Sequence, residues 1–174
     1  MVTHRTPVPG MYRFVANVLR PPLRLLTRYS VTGLHHVPTT DGFIVTPNHL
    51  SYFDPFPWAH TLYNHGVAPV FLAKNELFET PVLGTILRGA GQVPVHREST
   101  EAATALREAV AALDGGRCVA IYPEGTLTRD PELWPMRGKT GAARLALESR
   151  HPVIPVAQWG PQEVIPEYAH VPKL

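Results

Sequence analysis

The apolar residues near the N-terminus repeat with the period of a helix. Residues spaced three and four apart fall on one face of an α-helix. The positions with this spacing are Met11, Phe14, Val15, Val18 and Leu19. Proline removes a backbone donor, so Pro21 and Pro22 are expected to break the helix before the pattern resumes in "LRLLTRY". The first segment is therefore predicted to be amphipathic and helical.

Beyond this segment, strand-like and helix-like patterns alternate. The apolar runs that predict strands are "GFIVT", "VAPVFLA", "GQVPVHR", "RCVAIY" and "HPVIPVAQW". The runs that predict helices between them are "PFPWAHTLY", "PVLGTILRG", "TEAATALREAVAALDGG" and "GKTGAARLALES". Strands that alternate with helices indicate an α/β fold, with a mixed, largely parallel sheet flanked by helices.

The charges are distributed unevenly along the chain. The first 40 residues contain no acid, and their five arginines are Arg5, Arg13, Arg20, Arg24 and Arg28. A basic segment favours an anionic partner, and charge alone leaves both lipid and nucleic acid open. A basic amphipathic helix with an aromatic side chain favours a membrane interface. The alternative is a helix that packs on its own domain. We expect residues 1–30 to associate with a membrane and residues 31–174 to form one domain.

Several classes of protein are excluded by absent signals. No apolar run reaches the roughly 20 residues of a membrane-spanning helix. The single cysteine, Cys118, cannot form an internal disulfide, and its apolar surroundings favour a core position over a nucleophile. No G-x-S-x-G elbow, zinc motif, dinucleotide fingerprint or RNA-binding signature is present. We therefore expect no metal, no bound cofactor and no nucleic acid partner.

Four polar clusters follow four of the predicted strands. They are "PNH" after "GFIVT", "KNE" after "VAPVFLA", "HR" at the end of "QVPVHR", and "PEGT" after "CVAIY". Ligands bind at the carboxyl ends of the strands in such sheets. The fold should therefore bring these clusters together on one edge.

The first cluster contains a candidate catalytic base. A neutral imidazole can take a proton if a carboxylate fixes its other nitrogen, and Asp54 follows His49 with four residues between them. The alternative is that Asp54 only caps a helix that begins at Pro55. Because no protein nucleophile is evident, such a base suits direct attack by a substrate hydroxyl on an activated acyl group, as in a thioester.

The other clusters are candidates for binding an anion. Lys74 and Arg97 lie at strand ends and could hold a phosphate by charge-assisted hydrogen bonds. Gly125 would let the backbone approach a ligand closely, and Thr126 offers a hydroxyl and an amide. The alternatives are solvated surface cations and an ordinary turn.

Taken in order, these clusters resemble the glycerol-3-phosphate and 1-acylglycerol-3-phosphate O-acyltransferase family, over roughly residues 32–160. The matching blocks are "NHLSYFD" with His49 and Asp54, "GQVPVHR" with Arg97, "YPEGT" with Glu124, Gly125 and Thr126, and "HPVIPVA" with Pro155. The segment "AKNELFETPVLG" also looks like the family's lysine-containing segment, which points to Lys74.

The resemblance implies an αβα sandwich of the glycerolipid acyltransferase type, with residues 31–174 as the acyltransferase domain. It implies an enzyme that moves a fatty acyl group from acyl-CoA or acyl-carrier protein to a hydroxyl of lysophosphatidate or glycerol 3-phosphate. It further implies peripheral attachment to the cytoplasmic face of the cell membrane. Two alternatives stay open: an acyl-thioester hydrolase, and a non-catalytic lipid-binding relative.

Residue roles follow from the same resemblance. His49 would be the base and Asp54 would orient it. Lys74, Arg97 and the loop of Glu124–Thr126 would hold the phosphate and glycerol of the acceptor. Glu124 is expected either to bind a glycerol hydroxyl or to brace the loop, since a carboxylate repels a phosphate.

The chain departs from the family pattern at three places. The third block usually continues with arginine and serine, whereas Leu127 and Thr128 stand here. We therefore expect one phosphate-facing cation to be missing, with Arg129 as a candidate replacement. His96 stands where an acid or amide is common, and the chain ends at Leu174, earlier than family chains usually do. The early end of the chain predicts either a truncated form or a short member of the family.

Overall fold

The computed structural model describes residues 3–95 and 102–166, and these form a central five-stranded sheet. The strands are β1 (Phe43–Pro47), β2 (Val70–Lys74), β3 (Val93–Val95), β4 (Cys118–Ala120) and β5 (Val153–Val156). Their spatial order is β3-β2-β4-β1-β5, and every described pair is parallel. The predicted α/β class is confirmed, with a sheet that is wholly parallel in these residues.

Helices connect the strands, as parallel pairing requires. They are α1 (Gly10–Leu26), α2 (Pro55–Asn64), α3 (Asn75–Glu79), α4 (Pro81–Gly89), α5 (Ala102–Asp114), α6 (Gly141–Ser149) and α7 (Pro161–Val164), with a 3₁₀ turn at Leu34–His36. The predicted helices correspond to α1, α2, α4, α5 and α6. The short α3 and α7 were not predicted.

The core lies on both faces of the sheet. In β1, Ile44 points to one face, where it packs with Leu113 of α5 and Leu145 of α6. Phe43 and Val45 point to the other face, where they pack with α2. Burying each large apolar side chain stabilises the fold by about 1.5–3 kcal/mol. The two clusters therefore hold the sheet between two layers of helices.

The expectation that Pro21 and Pro22 break the first helix is wrong, because α1 continues to Leu26. Both prolines remove a helical hydrogen bond, but their fixed φ is compatible with a helix. Tertiary contacts on both sides of the prolines hold the helix together. Leu23 is buried, and the guanidinium of Arg20 donates a 2.9 Å hydrogen bond to the side-chain oxygen of Asn64 in α2.

Helix α1 packs on the domain and also presents apolar residues outward. It contacts α2 and α4, and Met11 lies against Gly89 at the end of α4. On its outer side Phe14, Val18 and Leu25 are 64%, 54% and 83% exposed. Among the described helices, none combines the length and apolar character that would let it cross a bilayer.

Candidate active site

Three strand ends converge on one cavity of about 990 Å³. Because β1, β2 and β4 are parallel neighbours, their carboxyl ends lie on the same edge of the sheet. His49 follows β1, Lys74 ends β2, and Gly125 and Thr126 follow β4; all four line the cavity. Arg97 was predicted to join them, and it lies outside the described residues.

The loop between β1 and α2 is folded around one oxygen of Asp54. Asp54 Oδ2 lies 2.8 Å from His49 Nδ1, and it accepts hydrogen bonds from the backbone amides of Leu50 (2.6 Å) and Ser51 (3.0 Å). Asp54 is fully buried, and it makes no side-chain cap to the helix that begins at Pro55. The interpretation of Asp54 as only a helix cap is therefore wrong.

This geometry determines which nitrogen of His49 can act. A carboxylate only accepts hydrogen bonds, so Nδ1 carries a proton and donates a hydrogen bond to Asp54. Nε2 is then the nitrogen that can take a proton from a bound substrate. The side chain of His49 is 17% exposed, and the residue lines the cavity. The pair has the arrangement of a general base with its orienting carboxylate.

Glu124 braces the His49 loop through backbone groups. Its Oε1 accepts the amide N–H of His49 at 3.0 Å, and its Oε2 accepts that of Met136 at 2.8 Å. The side chain is buried, and Glu124 is not among the residues that line the cavity. The backbone amide of Thr128 also donates to the carbonyl of His49, at 2.8 Å. The geometry gives evidence for bracing, while direct contact of Glu124 with substrate stays a prediction.

Tyr122 positions the imidazole from its flat side, a role that the sequence did not suggest. The rings of Tyr122 and His49 are stacked with their centroids 4.1 Å apart. The hydroxyl of Tyr122 accepts a 3.3 Å hydrogen bond from the indole N–H of Trp58. Burial raises the pKa of Tyr122, and the negative charge of Asp54 raises it further. Tyr122 is therefore a neutral aromatic wall of the site.

Among the described residues, three with a lysine or arginine side chain line the cavity. Lys74 was expected there, whereas Lys139 and Arg144 were not. Lys139 lies just before α6, and Arg144 lies within it. The nearest described carboxylate to Lys74 is that of Glu76, with Nζ and Oε1 3.9 Å apart. Arg129, the expected replacement for the missing arginine, is exposed and does not line the cavity.

The rest of the wall is apolar and comes from helices. Side chains of α1, α2, α4 and α5 contribute to it, and His49 lines the same cavity. Those with aliphatic or aromatic side chains include Val15, Leu19, Phe56, Ile86, Leu87 and Leu106. Their helical periodicity was visible in the sequence, but nothing in it showed that they would surround a cavity.

Cys118 lies in the core, as predicted. It is 1% exposed, and burial raises the pKa of its thiol. The thiolate is the nucleophilic form of cysteine. Cys118 is therefore not placed to act as a nucleophile.

Comparison with known proteins places the chain in a family. A sequence model described as Acyltransferase matches residues 28–159. The chain belongs to the acyltransferase family. The 1-acyl-sn-glycerol-3-phosphate acyltransferase of Bacillus subtilis is 30% identical over 154 residues, which cover 87% of this chain and 72% of that relative. The enzyme of the same name from Borreliella burgdorferi is 30% identical, over 72% of this chain and 49% of that relative.

A solved structure of the acyltransferase family has the same fold. The crystal structure of the 1-acyl-sn-glycerophosphate (LPA) acyltransferase PlsC from Thermotoga maritima matches with a TM-score of 0.69 and 28% sequence identity. The match covers 90% of this chain and 61% of the Thermotoga chain. The resemblance drawn from the four sequence blocks and the αβα architecture are both confirmed.

Proposed function

We propose that this acyltransferase moves a fatty acyl group from an acyl thioester to a hydroxyl of lysophosphatidate or glycerol 3-phosphate, in phospholipid synthesis. The observation that carries the proposal is the His49–Asp54 pair in the wall of a cavity that is also lined by apolar helical side chains and by cations. Within this cavity, an acyl carbonyl and a hydroxyl of a phosphate-bearing acceptor would meet beside the pair.

His49 acts as the base in the proposed reaction. Nε2 takes the proton of the acceptor hydroxyl while the hydroxyl oxygen forms a bond to the thioester carbonyl carbon. The carbon–sulfur bond then breaks, and the leaving thiolate takes the proton back from the imidazolium. Asp54 stabilises the imidazolium and holds the ring in the tautomer that leaves Nε2 free. General base catalysis of this kind is worth about 10²–10⁴ in rate.

The apolar part of the cavity suits a fatty acyl chain. Its walls are helical side chains, and a chain bound there is stabilised by about 0.8 kcal/mol for each CH₂ removed from water. The thioester would then lie beside His49, with acyl-CoA or acyl-carrier protein as the donor. No cofactor or metal takes part in this scheme.

The polar part suits the acceptor. Lys74 lines it, Arg97 is proposed to join it, and the loop of Gly125 and Thr126 offers backbone and hydroxyl groups. Glu124 is proposed to act indirectly, by holding the loop and His49 in place. A cation that binds phosphate also orients the acceptor hydroxyl, and correct orientation lowers the barrier.

Helix α1 is proposed to attach the enzyme to the cytoplasmic face of the cell membrane as a peripheral protein. Its outer side carries exposed apolar residues together with the exposed arginines Arg13 and Arg24. Such a face binds an anionic lipid surface. The inner side of the same helix lines the cavity, so lipid substrates would enter close to the membrane.

The proposal is tested by mass spectrometry of products from a matrix of acceptors and donors. The acceptors are lysophosphatidate, glycerol 3-phosphate and monoacylglycerol, and the donors are acyl-CoA and acyl-carrier protein. Acylation of a phosphate-bearing acceptor is the expected result. Thiol release that is equally fast without any acceptor would identify a hydrolase and overturn the proposal.

A further inference from the structure

The segment before α6 is bound to the loop that follows β4. The amide of Lys139 donates a 2.8 Å hydrogen bond to the carbonyl of Pro123, and the amide of Met136 donates to Glu124. The hydroxyl of Thr128 donates to the carbonyl of Trp134 at 2.6 Å. These bonds connect backbone to backbone or to buried side chains, so the position of Lys139 beside the loop is fixed by the fold.

The side chain of Lys139 lies against the bare backbone of Gly125. A Cβ placed on Gly125 would be 3.4 Å from Cδ, Cε and Nζ of Lys139. Gly125 has φ +71°, a conformation that favours glycine, so the loop needs glycine there for its own geometry as well. Both residues line the cavity. Lys139 is exposed, and its ammonium group lies at the cavity wall beside the loop that follows β4.

The charge of Lys139 is not compensated by the described part of the protein. Within residues 3–95 and 102–166, its Nζ makes no hydrogen bond and has no carboxylate within 4.0 Å. The neighbouring Glu124 is buried, with both carboxylate oxygens occupied by amides. A lysine held in a concave wall without a partner is suited to binding an anion from solution.

The loop that follows β4 supplies no cation directly after Thr126. Leu127 stands there, is 3% exposed and gives the wall an apolar surface. Arg144 of α6 also lines the cavity. The positive charge on this side therefore comes from residues 139–144, about a dozen positions further along the chain than Leu127.

We propose that Lys139 binds the phosphate group of the acceptor, supplying from the segment before α6 the cation that Leu127 does not supply. The inference rests on the proposed function, because it names the residue that would hold that reaction's phosphate-bearing acceptor. It makes Lys139 a binding residue for the phosphomonoester and not a participant in proton transfer.

The kinetic test compares Lys139→Gln with the matched variant Arg137→Gln. Arg137 is an exposed cation of the same segment that does not line the cavity. We expect Lys139→Gln to raise the KM for lysophosphatidate by about 10–100-fold, the loss of one charge-assisted hydrogen bond. The KM for the acyl thioester should change much less, and Lys139→Arg should restore most of the affinity for lysophosphatidate. Equal KM values for the acceptor in both glutamine variants would overturn the inference.

A binding test separates this inference from the proposed function. Inorganic phosphate is titrated against thermal unfolding, since a ligand that binds the folded state raises Tm. Phosphate should stabilise wild type and Arg137→Gln but not Lys139→Gln. If the wild type transfers no acyl group, the proposed function fails and this titration decides the role of Lys139. If phosphate stabilised wild type, Arg137→Gln and Lys139→Gln equally, or stabilised none of them, the inferred role of Lys139 would be overturned.

Discussion

Two buried carboxylates near His49, those of Asp54 and Glu124, accept hydrogen bonds from backbone amides. Asp54 holds the amides of Leu50 and Ser51 with the same oxygen that binds the imidazole. Glu124 holds the amides of His49 and Met136 with its two oxygens. Each carboxylate therefore both fixes a loop and positions His49, so its removal should lower the stability and, if His49 is the base, also the rate.

Replacing Glu124 with glutamine should destabilise the fold. The amide nitrogen of glutamine cannot accept a hydrogen bond, so the N–H of either His49 or Met136 would lose its partner in a buried place. An unsatisfied buried donor costs about 1–3 kcal/mol. We expect the free energy of unfolding in urea to fall by that amount.

Glu148→Gln is the matched control for this prediction. Glu148 lies exposed on α6, and among the described residues its side chain has no hydrogen bond or ion pair. Its variant should unfold at the same urea concentration as the wild type. If Glu124→Gln did the same, the bracing role of Glu124 would be wrong.

At the scale of elements, a chain of hydrogen bonds connects α1 to α2. Arg20 donates to the Asn64 oxygen, so the Asn64 nitrogen faces His60 Nε2 at 3.2 Å. On the other side of the ring, Tyr29 Oη lies 2.8 Å from His60 Nδ1. Since arginine only donates, it fixes the orientation of Asn64, and the Asn64 amide then makes Nε2 of His60 an acceptor. This chain requires a neutral His60.

Acid should therefore weaken the contact between α1 and α2. Burial, and then the charges of Arg20 and Arg24, hold the pKa of His60 below its usual value of 6.5. His60 has a lower pKa in the folded chain than in the unfolded chain. At a pH between these two values the unfolded chain binds more protons, so stability falls as pH drops below about 6.5. We expect the free energy of unfolding to fall less in His60→Gln than in wild type between about pH 7.5 and about pH 5.5.

The measurement is urea unfolding of both proteins at the two pH values. His65→Gln, at an exposed position just beyond α2, is the matched control and should behave like the wild type. An identical pH dependence in wild type and His60→Gln would show that His60 does not carry this effect.

At the scale of the whole molecule, helix α1 contributes both to the cavity wall and to an exposed outer face. Its inner residues line the cavity, and its outer residues are apolar and basic. Under the proposed function, the membrane contact would lie close to the cavity that receives the lipid substrate.

Removing the exposed basic charges of this region should release the protein from anionic vesicles. The triple variant replaces Arg13, Arg24 and Arg28 with glutamine. Each arginine near an anionic surface contributes about 1 kcal/mol, so affinity for phosphatidylserine vesicles should fall by about 100-fold in a sedimentation assay. The matched triple variant replaces the exposed Arg107, Arg129 and Arg137, which lie outside residues 1–30. Equal losses in the two triple variants would contradict a specific role for α1.

Much of the fold could be predicted because apolar periodicity reports burial directly. The β-strands follow continuous apolar runs, as expected for a parallel sheet covered on both faces. The continuation of α1 past Pro21 and Pro22 could not be predicted locally, since it depends on packing by Leu23 and a hydrogen bond by Arg20. Tertiary contacts outweighed the local preference there.

The site was predictable where its residues follow strand ends. His49, Lys74 and Gly125 could be placed because parallel strands bring their carboxyl ends to one edge. Lys139 and Tyr122 were missed. Lys139 reaches the site through pairing of two loops, and Tyr122 through ring stacking, and neither contact leaves a periodic pattern in the sequence.

The most direct measurement is the rate at which His49→Ala forms phosphatidate from lysophosphatidate and an acyl thioester, followed by mass spectrometry. His65→Ala, at an exposed position, serves as the control. If His49 is the base, wild type and His65→Ala should both be active. The rate of His49→Ala should be at least about 10²-fold lower than that of wild type. Phosphatidate formed by His49→Ala at the wild-type rate would contradict the assignment of His49 as the base.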